Sequence, residues 1–277
     1  MSAMRSTLLS AAITAAFALA APTASAANSI SFKPWGDGAG NAPSLDIDQV
    51  LSVTKSGVGS NNYSDNPSLN NAAWAHSGGS PWYTFFLTAA ADVSINLTPT
   101  AGSEALFNPG MTVWASGSTK FDGGTGNFDD VGENGWNSPH SFNMIGQIGA
   151  AGTLWSTGEY GNQLETLAYA ITNTDLNGAG NGWGETIVAG VVKDVSTSNT
   201  FEKGVSGTAV GNSIQMNFSG MQSGWYTIFF GGTNGDYTAT SYNLSVSAVA
   251  AVPEPGSWAM MIGGLGLLGA LARRRKG

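Results

Sequence analysis

Residues 91–98, Ala91-Asp-Val-Ser-Ile-Asn-Leu-Thr98, alternate apolar and polar side chains at every step. Neighbouring side chains of a β-strand point to opposite faces, so this period of two sends Val93, Ile95 and Leu97 inward and Ser94, Asn96 and Thr98 outward. Just before it, Trp82-Tyr-Thr-Phe-Phe-Leu-Thr88 is aromatic and β-branched, the composition of a second strand. Working outward, strands are expected over residues 49–54, 110–114, 165–171, 186–192, 213–218, 224–230 and 241–247. Met221-Gln-Ser-Gly224 carries turn chemistry between two of these runs and predicts a hairpin. The chain's 39 Gly, interleaved with Asn, Ser and Thr, supply turns and loops rather than helices. Outside the two ends there is no long amphipathic helix. Short strands parted by such loops predict an all-β fold, an antiparallel β-sandwich or jelly roll.

The order Trp82-Tyr83-x-Phe85-x-Leu87, Ala90-Ala91-Asp92-Val93-x-Ile95-x-Leu97, Gly224-Trp225-Tyr226-x-Ile228 and Tyr242-x-Leu244-x-Val246 resembles bacterial pre-peptidase C-terminal-type β-sandwich domains. Those are accessory modules, and the resemblance implies a non-catalytic domain over residues 72–250. The long stretch 115–212 departs from that family's compact pattern. Residues 27–71 read as a less regular N-terminal segment with few strands.

Both ends of the chain are targeting devices. Residues 1–26 have a positive start at Arg5, an apolar stretch over 8–21 and the small-residue sequence Ala24-Ser25-Ala26, the pattern of a cleavable signal helix cut after Ala26. At the other end come Val252-Pro253-Glu254-Pro255, an uncharged apolar run over residues 257–272, and Arg273-Arg274-Arg275-Lys276. Pro253 and Pro255 fix their own backbone angles and bias the residue before each to extended geometry. As a single C-terminal transmembrane helix, the run over 257–272 reaches about 24 Å, short of a roughly 30 Å hydrocarbon core. The basic end snorkels and stays cytoplasmic, which sends the large domain outward. This three-part tail, residues 252–277, resembles the PEP-CTERM sorting signal of Gram-negative bacteria. The resemblance implies recognition by exosortase, removal of the tail near the motif, and a mature protein at the cell surface or in a biofilm-type extracellular matrix with exopolysaccharide. The partners it implies are the secretion machinery, exosortase and, transiently, the inner membrane.

Composition sharpens this. No cysteine is present, so disulfides cannot staple the exported part. The formal net charge is −8, but five of the ten basic residues lie in the targeting ends. The remainder sets Lys33, Lys55, Lys120, Lys193 and Lys203 against 17 Asp and Glu, a net of −12. That field argues against nucleic acid and anionic lipid, and allows divalent cations and neutral polymers.

Candidate chemistry is confined to loops. Asp122, Asn127, Asp129, Asp130 and Glu133 crowd hard oxygen ligands onto a Gly-rich stretch, as calcium requires. Asp175, Asn177, Asn181 and Glu185 form a second, similar set. Neither follows the EF-hand spacing, and a solvated polar loop accounts for either. Trp136 and Trp183 sit among Gly and Asn, where an exposed ring stacks on sugars, although Trp in a Gly-rich chain also serves to plug a core or pin a loop. His76 and His140 have no partner at useful spacing, and no nucleophile elbow, His-Glu-x-x-His or phosphate loop occurs. The expectation is a non-enzymatic, structural or adhesive component of an exopolysaccharide layer. The alternatives are a calcium-dependent carbohydrate-binding module and an unrecognised secreted hydrolase.

Overall fold

The structure is a computed structural model. It describes residues 32–58, 82–101, 108–120, 154–155, 164–174, 188–194, 196, 200–233, 240–251, 260, 263–265 and 268. Its strands are β1 (Ser44–Leu45), β2 (Val50–Val58), β3 (Trp82–Leu87), β4 (Ala91–Pro99), β5 (Pro109–Gly117), β6 (Leu154–Trp155), β7 (Leu164–Ile171), β8 (Val192–Asp194), β9 (Gly204–Val210), β10 (Ser213–Met221), β11 (Gly224–Gly232) and β12 (Thr240–Ala250). One sheet runs β1-β3-β11-β5-β7-β6, with β8 also on β7; the other runs β2-β12-β4-β10-β9. Every ladder is antiparallel except the short pairing of β1 with β3.

Alternation assigns each side chain to its layer. Val93, Ile95 and Leu97 of β4 join Ile214, Met216 and Phe218 of β10 and Leu244 and Val246 of β12 in one buried cluster. Tyr83 and Phe85 of β3, Val113 of β5 and Ile228 and Phe230 of β11 complete it from the facing sheet. Phe230 and Tyr242 meet edge to face across the layers, ring centroids 6.2 Å apart. The two sheets therefore share a single core.

The seven-stranded sheet is buried on its outer face as well. Trp82, Thr84, Thr112, Trp114, Tyr169, Thr227 and Phe229 are all out of water. Trp82 stacks on Trp114 at 5.4 Å and leans on Phe229 at 4.5 Å. This is why β3 and β11 read as near-continuous apolar runs while β4, β10 and β12 alternate: strands covered on both faces have no side to give to solvent.

Short segments join the layers at both edges. Residues 32–36 cross from β3 to β2, with Lys33 N donating to Trp82 O at 2.8 Å and Gly36 N to Ser52 O at 2.9 Å. Opposite, Val191 bridges Thr208 of β9 while β8, directly after it, pairs with β7. Residues 27–71 thus contribute more than loops. They supply β1 to one sheet and β2 to the other, and Trp35, Leu45, Leu51 and Val58 to the core.

Two sequence expectations change. Met221 to Gly224 is not a hairpin turn, because β10 and β11 belong to different sheets and the chain crosses layers at Gln222-Ser223. Ser223 Oγ donates to Leu87 O at 3.0 Å, which fixes the crossing. The hairpin partner of β10 is β9, through Gly211-Asn212, with Gly211 at φ 59, as a two-residue II′ turn demands. Of the strand expected over 186–192, residues 186–187 lie outside the described residues, Ala189-Gly190 is a turn, and strand geometry starts at Val192. In the tail, residues 260, 263–265 and 268 are helical and exposed. No helix among the described residues is long and apolar enough to cross a membrane, and the rest of the 257–272 run lies outside the described residues, as does the signal segment.

The tyrosines of the core give a pH prediction. Burial raises the Tyr83 hydroxyl from 10.0 to about 12, and it raises Tyr226 and Tyr242 further. An acid whose folded pKa exceeds its unfolded one stabilises the fold fully below the unfolded value and loses that contribution as pH climbs through the folded value. Stability should hold to about pH 10 and then fall by roughly 2–3 kcal/mol for Tyr83 alone by about pH 12. Spectroscopic titration should find these tyrosines silent until the chain unfolds. Reversible ionisation near pH 10 of all seven tyrosines in the folded protein would contradict their burial.

Candidate functional site

The outer face of the five-stranded sheet differs sharply from the other described surfaces of the two sheets. Cross-strand register lines up Ser52, Ser245, Asn96, Gln215 and Thr208 across all five strands. The next row is Val50, Ser247, Ser94, Asn217 and Ser206, polar except for the exposed Val50, and a third pairs Thr54, Asn243 and Thr98. All of these are exposed or half-buried, and none is charged. At about 4.8 Å per strand the polar rows are roughly 19 Å wide. Thr54 Oγ1 donates to Asn243 Oδ1 at 2.7 Å and Ser94 Oγ to Asn217 Oδ1 at 2.9 Å. Asn96 Nδ2 donates to Ser94 Oγ at 3.3 Å. Such pairs hold the amides in fixed orientations and leave their remaining donors and acceptors facing solvent.

At the β2 edge this face becomes concave. The turn following Trp35 stands beside β2, closed by Trp35 N donating to Gly40 O at 2.7 Å. Only glycine fits at position 36, where a Cβ would come within 2.6 Å of Ser52 O. The result is a cleft of about 470 Å³ lined by Gly36, Asp37, Ser52, Val53, Thr54, Asn243, Leu244 and Ser245. Asp37, exposed at φ 54, is the single charged residue of that lining. Exposed Val50, Val210 and Val249 and the half-buried Asp92 border this face; its middle rows of hydroxyls and amides, with Asp37 at the cleft, are suited to a neutral, hydroxyl-rich ligand.

Trp35 does not reach this cleft. Its ring is buried against Tyr83 at 5.1 Å, and its Nε1 donates to Thr84 O at 2.9 Å. It pins the loop to the core.

The other sequence-derived candidates, Asp122, Asn127, Asp129, Asp130, Glu133, Trp136 and Trp183, lie outside the described residues. So do Asp175, Asn177, Asn181, Glu185, both histidines, Ala24, Ala26, the 252–255 motif and the 273–276 basic end. What the sequence reading missed is the polar face. Its signal was present in Ser94-Asn96-Thr98 and in the alternation of β12, but only the strand order shows that these rows adjoin.

Comparison with known proteins gives limited likeness for the domain and a clear match for the tail. No curated protein matches the chain. Among solved structures, CorA, a surface-associated copper-binding protein of Methylomicrobium album, is 16% identical, with 75% of this chain and 98% of that chain covered and a TM-score of 0.43. MopE, a secreted protein of Methylococcus capsulatus in which an oxidized tryptophan facilitates copper binding, is 10% identical, with 82% and 96% covered and a TM-score of 0.40. Residues 251–276 match the PEP-CTERM protein-sorting motif, and on that match the chain is an exported protein processed by exosortase.

Proposed function

We propose that the mature protein is a structural and adhesive component of an exopolysaccharide layer, holding neutral polysaccharide on the outer face of the five-stranded sheet. The observation that carries this reading is the uncharged row Ser52, Ser245, Asn96, Gln215 and Thr208, in register across every strand. Hydroxyls and amides both donate and accept, so they pair with sugar hydroxyls without the desolvation penalty of a charge. The cleft at Asp37 provides an end-point where one sugar unit is held more closely than along the flat face. In the precursor, residues 257–272 anchor the chain in the inner membrane until exosortase removes the tail, and the domain then leaves for the surface.

Affinity electrophoresis in gels containing neutral polysaccharide tests this. The double variant Asp37→Ala, Asn243→Ala removes two hydrogen-bonding groups of the cleft and should weaken retardation about tenfold or more. Introducing a charge in mid-face with Asn96→Lys should weaken it as well. Retardation equal to wild type in both variants would remove the face from consideration.

A calcium-dependent form of the same reading rests on Asp122, Asn127, Asp129, Asp130 and Glu133, with Trp136 or Trp183 as sugar-stacking rings. In that case chelator abolishes retardation that the face variants leave intact.

A further inference from the structure

A second cluster lies away from the polar face, among β7, β8 and the start of β9. Glu202 is fully buried just before β9. Its Oε1 accepts from Ser196 Oγ. The same hydroxyl lies 2.7 Å from Asp194 Oδ1, which also accepts the Ser196 N–H at 3.1 Å. One hydroxyl proton cannot be donated to both carboxylates. The other oxygen, Glu202 Oε2, is buried with no hydrogen-bond partner among the described residues. Glu165, buried on β7, adds a second negative group whose field reaches both Glu202 and Tyr226 of β11. Tyr226 Oη itself is committed to Gln222 O at 2.6 Å.

A buried carboxylate oxygen without a partner is costly unless a proton or a cation meets it. We propose that Glu202, Asp194 and Ser196 form a calcium site that ties the β8 connector to the start of β9. Among the described residues no three acidic or histidine side chains converge on one point. The charged ligands are therefore the two carboxylates, and the Ser196 hydroxyl, backbone oxygens and water complete a shell of about six to eight. So few charged ligands correspond to dissociation constants of about 10⁻⁴–10⁻³ M, the range of extracellular modules. The inference stands independently of polysaccharide binding.

The test is the melting temperature of the exported protein in millimolar calcium against chelator, with calorimetric titration of calcium alone. Wild type should melt higher with calcium. Glu202→Gln should melt above wild type in chelator, since it removes a buried charge, and should gain nothing from calcium. Asp194→Asn, at an exposed position that folding tolerates, should bind about tenfold more weakly or worse. The double variant Asp129→Asn, Asp130→Asn should keep the wild-type response. The proposal is overturned if wild type does not respond, if Glu202→Gln and Asp194→Asn respond as wild type does, or if only the 129–130 variant loses the response. In the last case the calcium belongs to the 122–133 stretch.

Discussion

With alanine at Pro253, Glu254 and Pro255, the protein is expected to accumulate as an untrimmed precursor in the inner-membrane fraction. The matched sorting motif spans residues 251–276, and its first residues sit between two regular elements. Upstream, β12 ends at Ala250; downstream, residues 260, 263–265 and 268 are helical. Each proline disfavours helix at the residue before it and removes a donor, so together they stop the helix from growing back toward the domain. Alanine does the reverse, with a difference of about 3 kcal/mol per proline in a helix interior. The variant therefore fails twice: the recognised side chains are gone, and the peptide bonds near them are free to wind into a helix that a peptidase cannot bind extended. The position of β12 adds a constraint. It lies between β2 and β4 in the five-stranded sheet, so trimming must fall after residue 250 to spare the fold. Intact mass of the wild-type product should show loss of the tail with Ala250 retained, and that of the variant should show the tail still attached. Equal trimming of the two proteins would remove the motif from the mechanism.

The strands that face water on one side were readable in the sequence, and the rest were readable only in part. Val93-Ser94-Ile95-Asn96-Leu97 announces its two faces because solvent claims one of them, and the same holds for β10 and β12. In β3 and β11 both faces are buried, so aromatic density identifies a strand while its period gives no orientation. β9 was invisible: Gly204-Val-Ser-Gly-Thr-Ala-Val210 has little apolar bulk, and Gly207 breaks the pattern. Turn chemistry at Ser223-Gly224 predicts a hairpin that does not form, because a two-residue link between sheets has the same residues as a hairpin loop. Only the register of β10 with β4 and of β11 with β3 separates them. The candidate face was legible strand by strand and not as a surface, since Ser52 and Thr208 come together only through the order β2-β12-β4-β10-β9. Glu202 and Asp194 carry no motif; what brings them together is the Ser196 hydroxyl that both meet, which nothing in the sequence marks.

Strand β9, which follows Glu202, holds the position where a single methyl group should do most harm. Gly207 of β9 has φ 142, and a Cβ built there would stand 2.0 Å from Gln215 O and 2.9 Å from Val192 Cγ2. Two costs follow for Gly207→Ala. The backbone conformation is one that side-chain-bearing residues avoid, at about 1–3 kcal/mol. The clash is with the backbone of the neighbouring strand, so relief requires moving β9 off β10 or Val192 out of its place, at about 1–3 kcal/mol more. The expected loss is about 2–6 kcal/mol, a large share of the roughly 5–15 kcal/mol that holds an ordinary domain folded. Because Val191 and Gly190 hold β9 from the other side, the loss should open the edge where the sheets are joined and raise hydrogen exchange in residues 188–210 first. Two nearby glycines provide the contrast. At Gly211, φ is 59 with nothing within 4 Å, so alanine costs only the left-handed backbone, about 1–2 kcal/mol. At Gly204 the nearest atom is Ser219 Cβ at 4.0 Å, an ordinary contact, and alanine there should be close to neutral. Denaturant unfolding of the three variants should rank them in that order. If Gly207→Ala cost no more than Gly211→Ala, the close packing of β8, β9 and β10 on which the joined edge depends would be wrong.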